Sequence, residues 1–507
     1  MKLTDYRVPL SGGTRGPAAL RELVELALSA LEVGAARRGG PIPAGGPRAL
    51  ARQFEGVFRY VQDGAEIDEG ALPRLAELLA YGSADPADPS CAAHLHGPPL
   101  AVAVAADLAV SALNPSLDSW DQAPAATALE TALLAELAEL VGYRPEEAAG
   151  VLTSGGTESN LMGLMLARDQ ALAGACSVEL DGLPAGVRPR IFASEAAHFS
   201  IQRAAALLGL GERAVTAVPV DRELRMDVGR LAAALADAVA DGARPIAVVA
   251  TAGTTDTGAV DPLHPIADLA ARYGSWLHVD AAYGGGALLS DRLAPLLDGI
   301  ARADSVALDW HKLGWQPTAA GIFLVRRAET YASLARRAVY LNPSDDEEAG
   351  YPSLLGRSLR TTRRADAFKI AVTLRTFGRT GLGRLVDRCH ELAHSAAASV
   401  RAEPALELHC EPILSTVVFR YRPATADPRV ADRVNAELRR LLLREGRAVV
   451  GRTELPGTGP GRVRLKLTLL NPNTTEADLA ALLKAVVRAG RETDDWPMVR
   501  SIGRDGS

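Results

Sequence analysis

The sequence predicts an α/β protein with a mainly parallel sheet, and three observations point there. From about residue 125, short apolar runs alternate with helix-like segments, the signature of strand–helix–strand units. Each run ends in polar or glycine residues, as strands do where ligands bind in open parallel sheets. Before about residue 90 and after about residue 377 the rhythm differs. The expected organisation is therefore an N-terminal helical segment (1–90), a large domain (91–377) and a small C-terminal α+β domain (378–507).

In chain order, Leu20, Leu23, Leu26, Leu28 and Leu31 recur at helical spacing, which predicts an amphipathic helix over 17–34. The Gly/Pro-rich stretch "GAARRGGPIPAGGPRAL" reads as a connector, and "LPRLAELLAYG" as a second helix. Prolines exclude a continuous helix in "ADPADPSCAAHLHGPPL". A long helix from Ala125 to Val141 leads to the strand "GVLTS", a glycine turn and another helix. The runs "RIFASE", "AVPV", "PIAVVATAGT", "WLHVDAAYGGG", "SVALDW" and "GIFLVR" are the remaining strands of a sheet covered on both faces. Beyond Arg364 come two helical stretches, the strand-like "LELHCEPILSTVVFRYRP", a charged helix, the strand "RVRLKLTLL" and a last helix opened by "NPNTTEAD".

Bulk composition narrows the function. With 507 residues, 48% hydrophobic and 23% charged, the chain has the profile of a soluble globular protein. A net charge of −6 without a basic stripe argues against a nucleic-acid partner. Four scattered cysteines, Cys91, Cys176, Cys389 and Cys410, show no CxxC spacing, so neither a disulfide framework nor a metal cluster is expected. No apolar run approaches the ~20 residues of a membrane span. The N-terminus lacks the apolar core of a signal peptide, and a cytoplasmic location is expected.

Four features at the predicted strand ends carry chemistry. "TSGGTESN" places Gly155, Gly156 and Thr157 in a turn that opens a helix, where free amides and hydroxyls suit a phosphate. It fits neither the dinucleotide nor the ATP-binding glycine pattern. Asp280 closes an apolar strand before small residues. A buried carboxylate there needs a cation, such as a protonated pyridine nitrogen, unless it merely caps its loop. His198 stands between a strand and a helix, able to stack on a ring or move a proton, or else to serve structure alone. Lys312, in "SVALDWHKLGWQP", sits at the mouth of a strand, where partial desolvation would make its amine reactive toward an aldehyde. Phosphate turn, acid for a ring nitrogen, imidazole and aldehyde-capturing amine together specify pyridoxal 5′-phosphate.

The motifs "NPSLDSWDQAPAATALE", "TSGGTESNLMGLMLAR", "VATAGTTDTGAVDPL", "HVDAAYGGG", "DWHK" and "SLRTTRRADAFK" give the chain a resemblance to the pyridoxal-phosphate-dependent decarboxylases of aromatic amino acids, glutamate and diaminobutyrate, over about residues 86–490. "LLGLG" and "SLRTTRRADAFK" look most like the bacterial members acting on diaminobutyrate, lysine or ornithine. The resemblance implies a fold-type I architecture and release of an amine and carbon dioxide from a basic amino acid. An aromatic substrate, an aldehyde-forming reaction and a catalytically silent homologue are the rival readings.

By the same resemblance Lys312 would tether the cofactor, Asp280 would keep its ring nitrogen protonated, Ala282 would lie under the ring and His198 over it. Thr254 would contact the cofactor near its ring and His311 its phosphate or the substrate, with Gly155, Gly156 and Thr157 at the phosphate. Asp309 falls where related enzymes place a phosphate-binding Asn; a carboxylate would repel phosphate, so it is expected to bond a hydroxyl or backbone group instead. Tyr340 matches a loop tyrosine that protonates the substrate in the partner subunit's site, implying a homodimer with shared sites. His94, His96 and Lys466 are the candidate substrate residues.

Overall fold

The computed structural model describes residues 10–57, 68–173, 177–335 and 340–496. Cys176, among the cysteines read above, lies outside them. The chain divides into two compact units: Leu95–Glu391 with Pro412–Thr416, and Met1–His94 with Leu392–Glu411 and Val417–Ser507.

The larger unit holds a seven-stranded sheet. Its strands are β1 (Ala149–Thr153), β2 (Pro189–Ser194), β3 (Val215–Val218), β4 (Arg244–Thr251), β5 (Trp276–Ala281), β6 (Ser305–Asp309) and β7 (Gly321–Val325). They lie in the order β1-β7-β6-β5-β4-β2-β3. From β3 to β6 the pairings are parallel, while β7 runs antiparallel to both β6 and β1. The mainly parallel sheet is thus as expected, and each apolar run predicted as a strand in this domain forms one.

Both faces are buried. Side chains alternate across a strand, and in β2 Ile191 and Ala193 join one hydrophobic cluster while Phe192 between them is fully buried as well. Phe192 and Phe323, removed from water completely, each contribute roughly 2–3 kcal/mol. The helix Gly156–Leu172 packs against β4, β5, β6 and β7, and Leu263–Arg272 packs against β4 and β5.

The smaller unit contains a four-stranded sheet of β8 (Leu406–Leu408), β9 (Thr416–Tyr421), β10 (Gly451–Glu454) and β11 (Val463–Thr468), in the order β10-β11-β9-β8. The helices Pro428–Arg444 and Glu476–Asp494 complete its core. The latter starts with a capping box in which Thr475 and Asp478 bond each other's backbone N–H groups.

The N-terminal segment differs from the expected separate 1–90 element, because it belongs to this same unit. Its helix Gly16–Arg38 crosses Ala71–Gly82 so closely that a Cβ on Gly34 would sit 2.3 Å from the Glu77 carbonyl oxygen. Gly45 N–H donates to the Arg444 carbonyl at 2.8 Å, and Thr468 N–H to that of Ala92 at 2.7 Å. The two helices expected after Arg364 are present within Ala367–Ala402, separated at Gly378, whose φ of 64° and ψ of 172° are not helical. The apolar run "AVAVAADLAV" lies in the helix Ala101–Leu113. No helix among the described residues is long and apolar enough to cross a membrane.

Candidate active site

The topology explains why distant residues meet. β2, β4, β5 and β6 point the same way, so their carboxyl ends share one edge. Register pairs Thr251 with Asp280 and Ala281 with Leu308. Because β7 is antiparallel, its first residue, Gly321, lies beside Asp309 on one side and Thr153 on the other. This brings the glycine turn after β1 to the lysine loop after β6.

A cavity of about 360 Å³ opens at this edge. Of the expected site residues, Gly155, Gly156, Thr157, His198, Asp280, Ala282, Asp309, His311 and Lys312 line it. Thr254 does not. Its hydroxyl bonds the Thr257 hydroxyl at 2.8 Å and accepts from Ala259 N–H at 3.0 Å, so it is spent on its own turn. Thr251, Gly253 and Thr255 supply the wall instead.

The glycine turn is tightly constrained. Gly155 has φ 148°, a left-handed region that favours glycine. A Cβ there would lie 3.2 Å from His311 Cε1, and one on Gly156 would lie 3.0 Å from Ala282 Cβ. Both glycines therefore keep open a cradle that side chains would narrow. Glu158 accepts from Ser154 N–H at 2.7 Å and is paired with Arg360 at 2.9 Å. Arg360 also donates to the Leu152 carbonyl at 3.1 Å, and Arg363 forms a buried pair with Glu130 at 2.7 Å. The motif "SLRTTRRADAFK" thus clamps β1 and its turn from behind.

Asp280 is buried, and its Oδ2 accepts from Asn160 Nδ2 at 2.8 Å while Oδ1 accepts from Ala282 N–H at 3.1 Å. Lys312 Nζ lies 3.1 Å from Asp309 Oδ2. This ion pair differs from the hydroxyl or backbone bond expected of Asp309. Asp309 Oδ1 is buried and accepts no hydrogen bond among the described residues. His311 accepts from Ala320 N–H on Nδ1 at 3.3 Å, and burial lowers its proton affinity. Burial likewise pushes the His198 imidazole below its ordinary range, with Lys312 adding to the effect and Asp280 and Asp309 opposing it.

These residues fit pyridoxal 5′-phosphate. The glycine cradle suits its phosphate, the buried carboxylate its ring nitrogen, and the lysine amine its aldehyde.

Tyr340 is 86% exposed and does not line this cavity. His96 is exposed, and its charge helps lower the proton affinity of His311. His94 and Lys466 belong to the smaller unit, where Lys466 is buried on β11 opposite Gly451. The sequence reading missed Asn160, Ser200 and His278. Asn160 stands one turn into the helix after the glycine turn and is fully buried, but its type alone reads as an ordinary polar helix residue.

Comparison with known proteins identifies the family. The family described as "Pyridoxal-dependent decarboxylase conserved domain" matches residues 60–422. The chain is 46% identical to an L-2,4-diaminobutyrate decarboxylase of Rhizobium meliloti (strain 1021), over 85% of this chain and 82% of that protein. It is 38% identical to another of Acinetobacter baumannii, over 86% and 87%. Its fold matches the crystal structure of the glutamate decarboxylase domain of a diaminobutyrate-pyruvate transaminase and L-2,4-diaminobutyrate decarboxylase from Vibrio parahaemolyticus. There the TM-score is 0.83 at 35% identity, covering 95% of this chain and 98% of that one.

Proposed function

Because the chain belongs to the pyridoxal-dependent decarboxylase family, we propose that its cavity removes the α-carboxylate of a basic amino acid, 2,4-diaminobutyrate foremost, releasing the diamine and carbon dioxide. The observation that carries this reading is the convergence of Lys312, Asp280 and His198 on one cavity beside a glycine cradle. The substrate follows the two relatives named above, both L-2,4-diaminobutyrate decarboxylases.

Pyridoxal 5′-phosphate, when bound, supplies a ring that withdraws the electron pair left by the departing carboxylate. The protein's residues divide the remaining work. Lys312 would hold the cofactor through its amine. Asp280 holds a proton on the ring nitrogen by its negative charge. Gly155, Gly156 and Thr157 would bind the phosphate, and Ala282 and His198 would contact the ring. Substrate-binding roles for His94, His96 and Lys466 belong to the same proposal.

We also infer a homodimer in which Tyr340 serves the partner subunit's site and protonates Cα. Its exposure, and the exposed Leu26, Leu28 and Leu31 on the helix Gly16–Arg38, support that arrangement. Co-expressed Lys312→Ala and Tyr340→Phe chains should regain activity that neither has alone; no recovery in a proven heterodimer contradicts the sharing. A cytoplasmic setting accords with the free Cys91, Cys389 and Cys410.

The deciding experiment measures amine and carbon dioxide from a panel of amino acids. Diaminobutyrate should give the highest kcat/KM. Turnover of aromatic substrates with none of the cationic ones would overturn the substrate, and release of aldehyde, ammonia or peroxide would overturn the reaction.

A further inference from the structure

Beneath the cavity, seven side chains form one unbroken hydrogen-bonded chain within the larger unit. Trp276 Nε1–H donates to Ser305 Oγ at 2.8 Å, and Ser305 Oγ lies 2.8 Å from His278 Nδ1. His278 Nε2 lies 2.8 Å from Asn160 Oδ1. The Asn160 amide nitrogen serves both Asp280 Oδ2 at 2.8 Å and Ser200 Oγ at 2.9 Å. Ser200 Oγ in turn lies 2.8 Å from His198 Nδ1.

The chemistry of the two ends dictates every proton between them. An indole N–H can only donate, and an ionised carboxylate can only accept. Asn160, donating to Asp280, turns its oxygen to His278 Nε2, so a neutral His278 leaves Nδ1 to accept from Ser305. His278 then carries its single proton on Nε2 and donates to Asn160 Oδ1. Turning the Asn160 amide around would set oxygen against carboxylate and NH₂ against an imidazole N–H. With the amide so fixed, Ser200 accepts from Asn160 and keeps its own proton free for His198 Nδ1. The backbone N–H of Ser200 points at that same nitrogen, 3.3 Å away. Two donors on Nδ1 leave the His198 proton on Nε2.

We propose that Asn160 and His278 are positioning residues that lock His198 as a neutral imidazole protonated on Nε2 and orient the Asp280 carboxylate as the acceptor of Asn160. The lock orders protons without conducting them, because it ends at an indole that cannot accept one. Burial, which pushes His278 down to about 4 and lowers His198, favours the same neutral forms. The charged groups acting on His198 are Asp280, Asp309, Lys312 and Arg203. Room for the lock is built into the helix Gly156–Leu172: a Cβ on Gly163 would sit 2.6 Å from His278 Nδ1. Glycine there admits the imidazole.

The inference rests on the reading of His198 and Asp280 as cofactor-facing groups and adds what sets the protonation of the first and the orientation of the second. It is tested by ¹⁵N-histidine NMR of the cofactor-loaded enzyme, with the His198 signal assigned by its loss in His198→Gln. The wild type should show Nε2–H and an unprotonated Nδ1 at neutral pH. Asn160→Ala and Gly163→Ala should mix the tautomers and raise the His198 protonation midpoint by about one pH unit. His278→Gln, which keeps an amide N–H toward Asn160, should retain the wild-type signal. A wild-type proton on Nδ1 overturns the lock, as does an unchanged His198 signal in both folded, cofactor-loaded Ala variants. If Asn160→Ala fails to fold, Gly163→Ala and the wild-type tautomer still decide. Failure of the wild type to acquire the cofactor's absorbance would count against the proposed function, while the tautomer in the same apo protein would still test the lock.

Discussion

Asp309 is the residue whose chemistry departs most from expectation. Its carboxylate stands beside the glycine cradle, 3.1 Å from the Lys312 amine, with Oδ1 left without a donor among the described residues. A negative charge so placed attracts the lysine and repels a bound phosphate. Asp309→Asn keeps the shape and removes the repulsion, so the cofactor's dissociation constant should fall about tenfold, equivalent to ~1.4 kcal/mol. Fluorescence titration of the apo protein with pyridoxal 5′-phosphate measures this, and weaker binding by the variant would show that Asp309 assists the phosphate. Lys312 and Asp280 were legible in the sequence because a charged residue ending an apolar run demands a partner. Asn160 was not, because its partners His278, Asp280 and Ser200 are remote in sequence and only the fold assembles them.

At the scale of elements, the parallel strands were readable from their apolar runs, and the parallel topology alone carries their polar ends to one edge. What periodicity could not show is how β7 turns back between β6 and β1, joining the lysine loop to the phosphate turn. Nor could it show Thr254 consumed by its own turn, since a hydroxyl's partner depends on local backbone geometry. The turn after β1 is the element most sensitive to change. Gly155→Ala would place a Cβ 3.2 Å from His311 Cε1 at φ 148°, a strain of roughly 1–3 kcal/mol. Its melting temperature should drop and its affinity for the cofactor should fall about tenfold or more; an unaltered affinity would remove this turn from the phosphate site.

For the whole molecule, the N-terminal segment's membership of the smaller unit joins residues some hundreds of positions apart, a pairing with no local trace in the sequence. The larger unit's stability should also follow pH through one buried group. His278 is pushed down to about 4 by burial, from an ordinary value of 6.5. Between those values the unfolded chain binds a proton that the folded chain refuses, so stability is full above about pH 6.5 and is lost as pH falls toward 4. The loss is roughly 3 kcal/mol, and urea unfolding at several pH values should show it reduced in His278→Gln. Equal pH dependence in both proteins would remove His278 as the cause. The central claim is that Lys312 carries the cofactor, and the most direct measurement is mass spectrometry of the borohydride-reduced, digested enzyme. The peptide containing Lys312 should bear the reduced pyridoxyl group, with Lys312→Ala colourless and inactive; an unmodified Lys312 peptide from active, yellow protein would contradict the account.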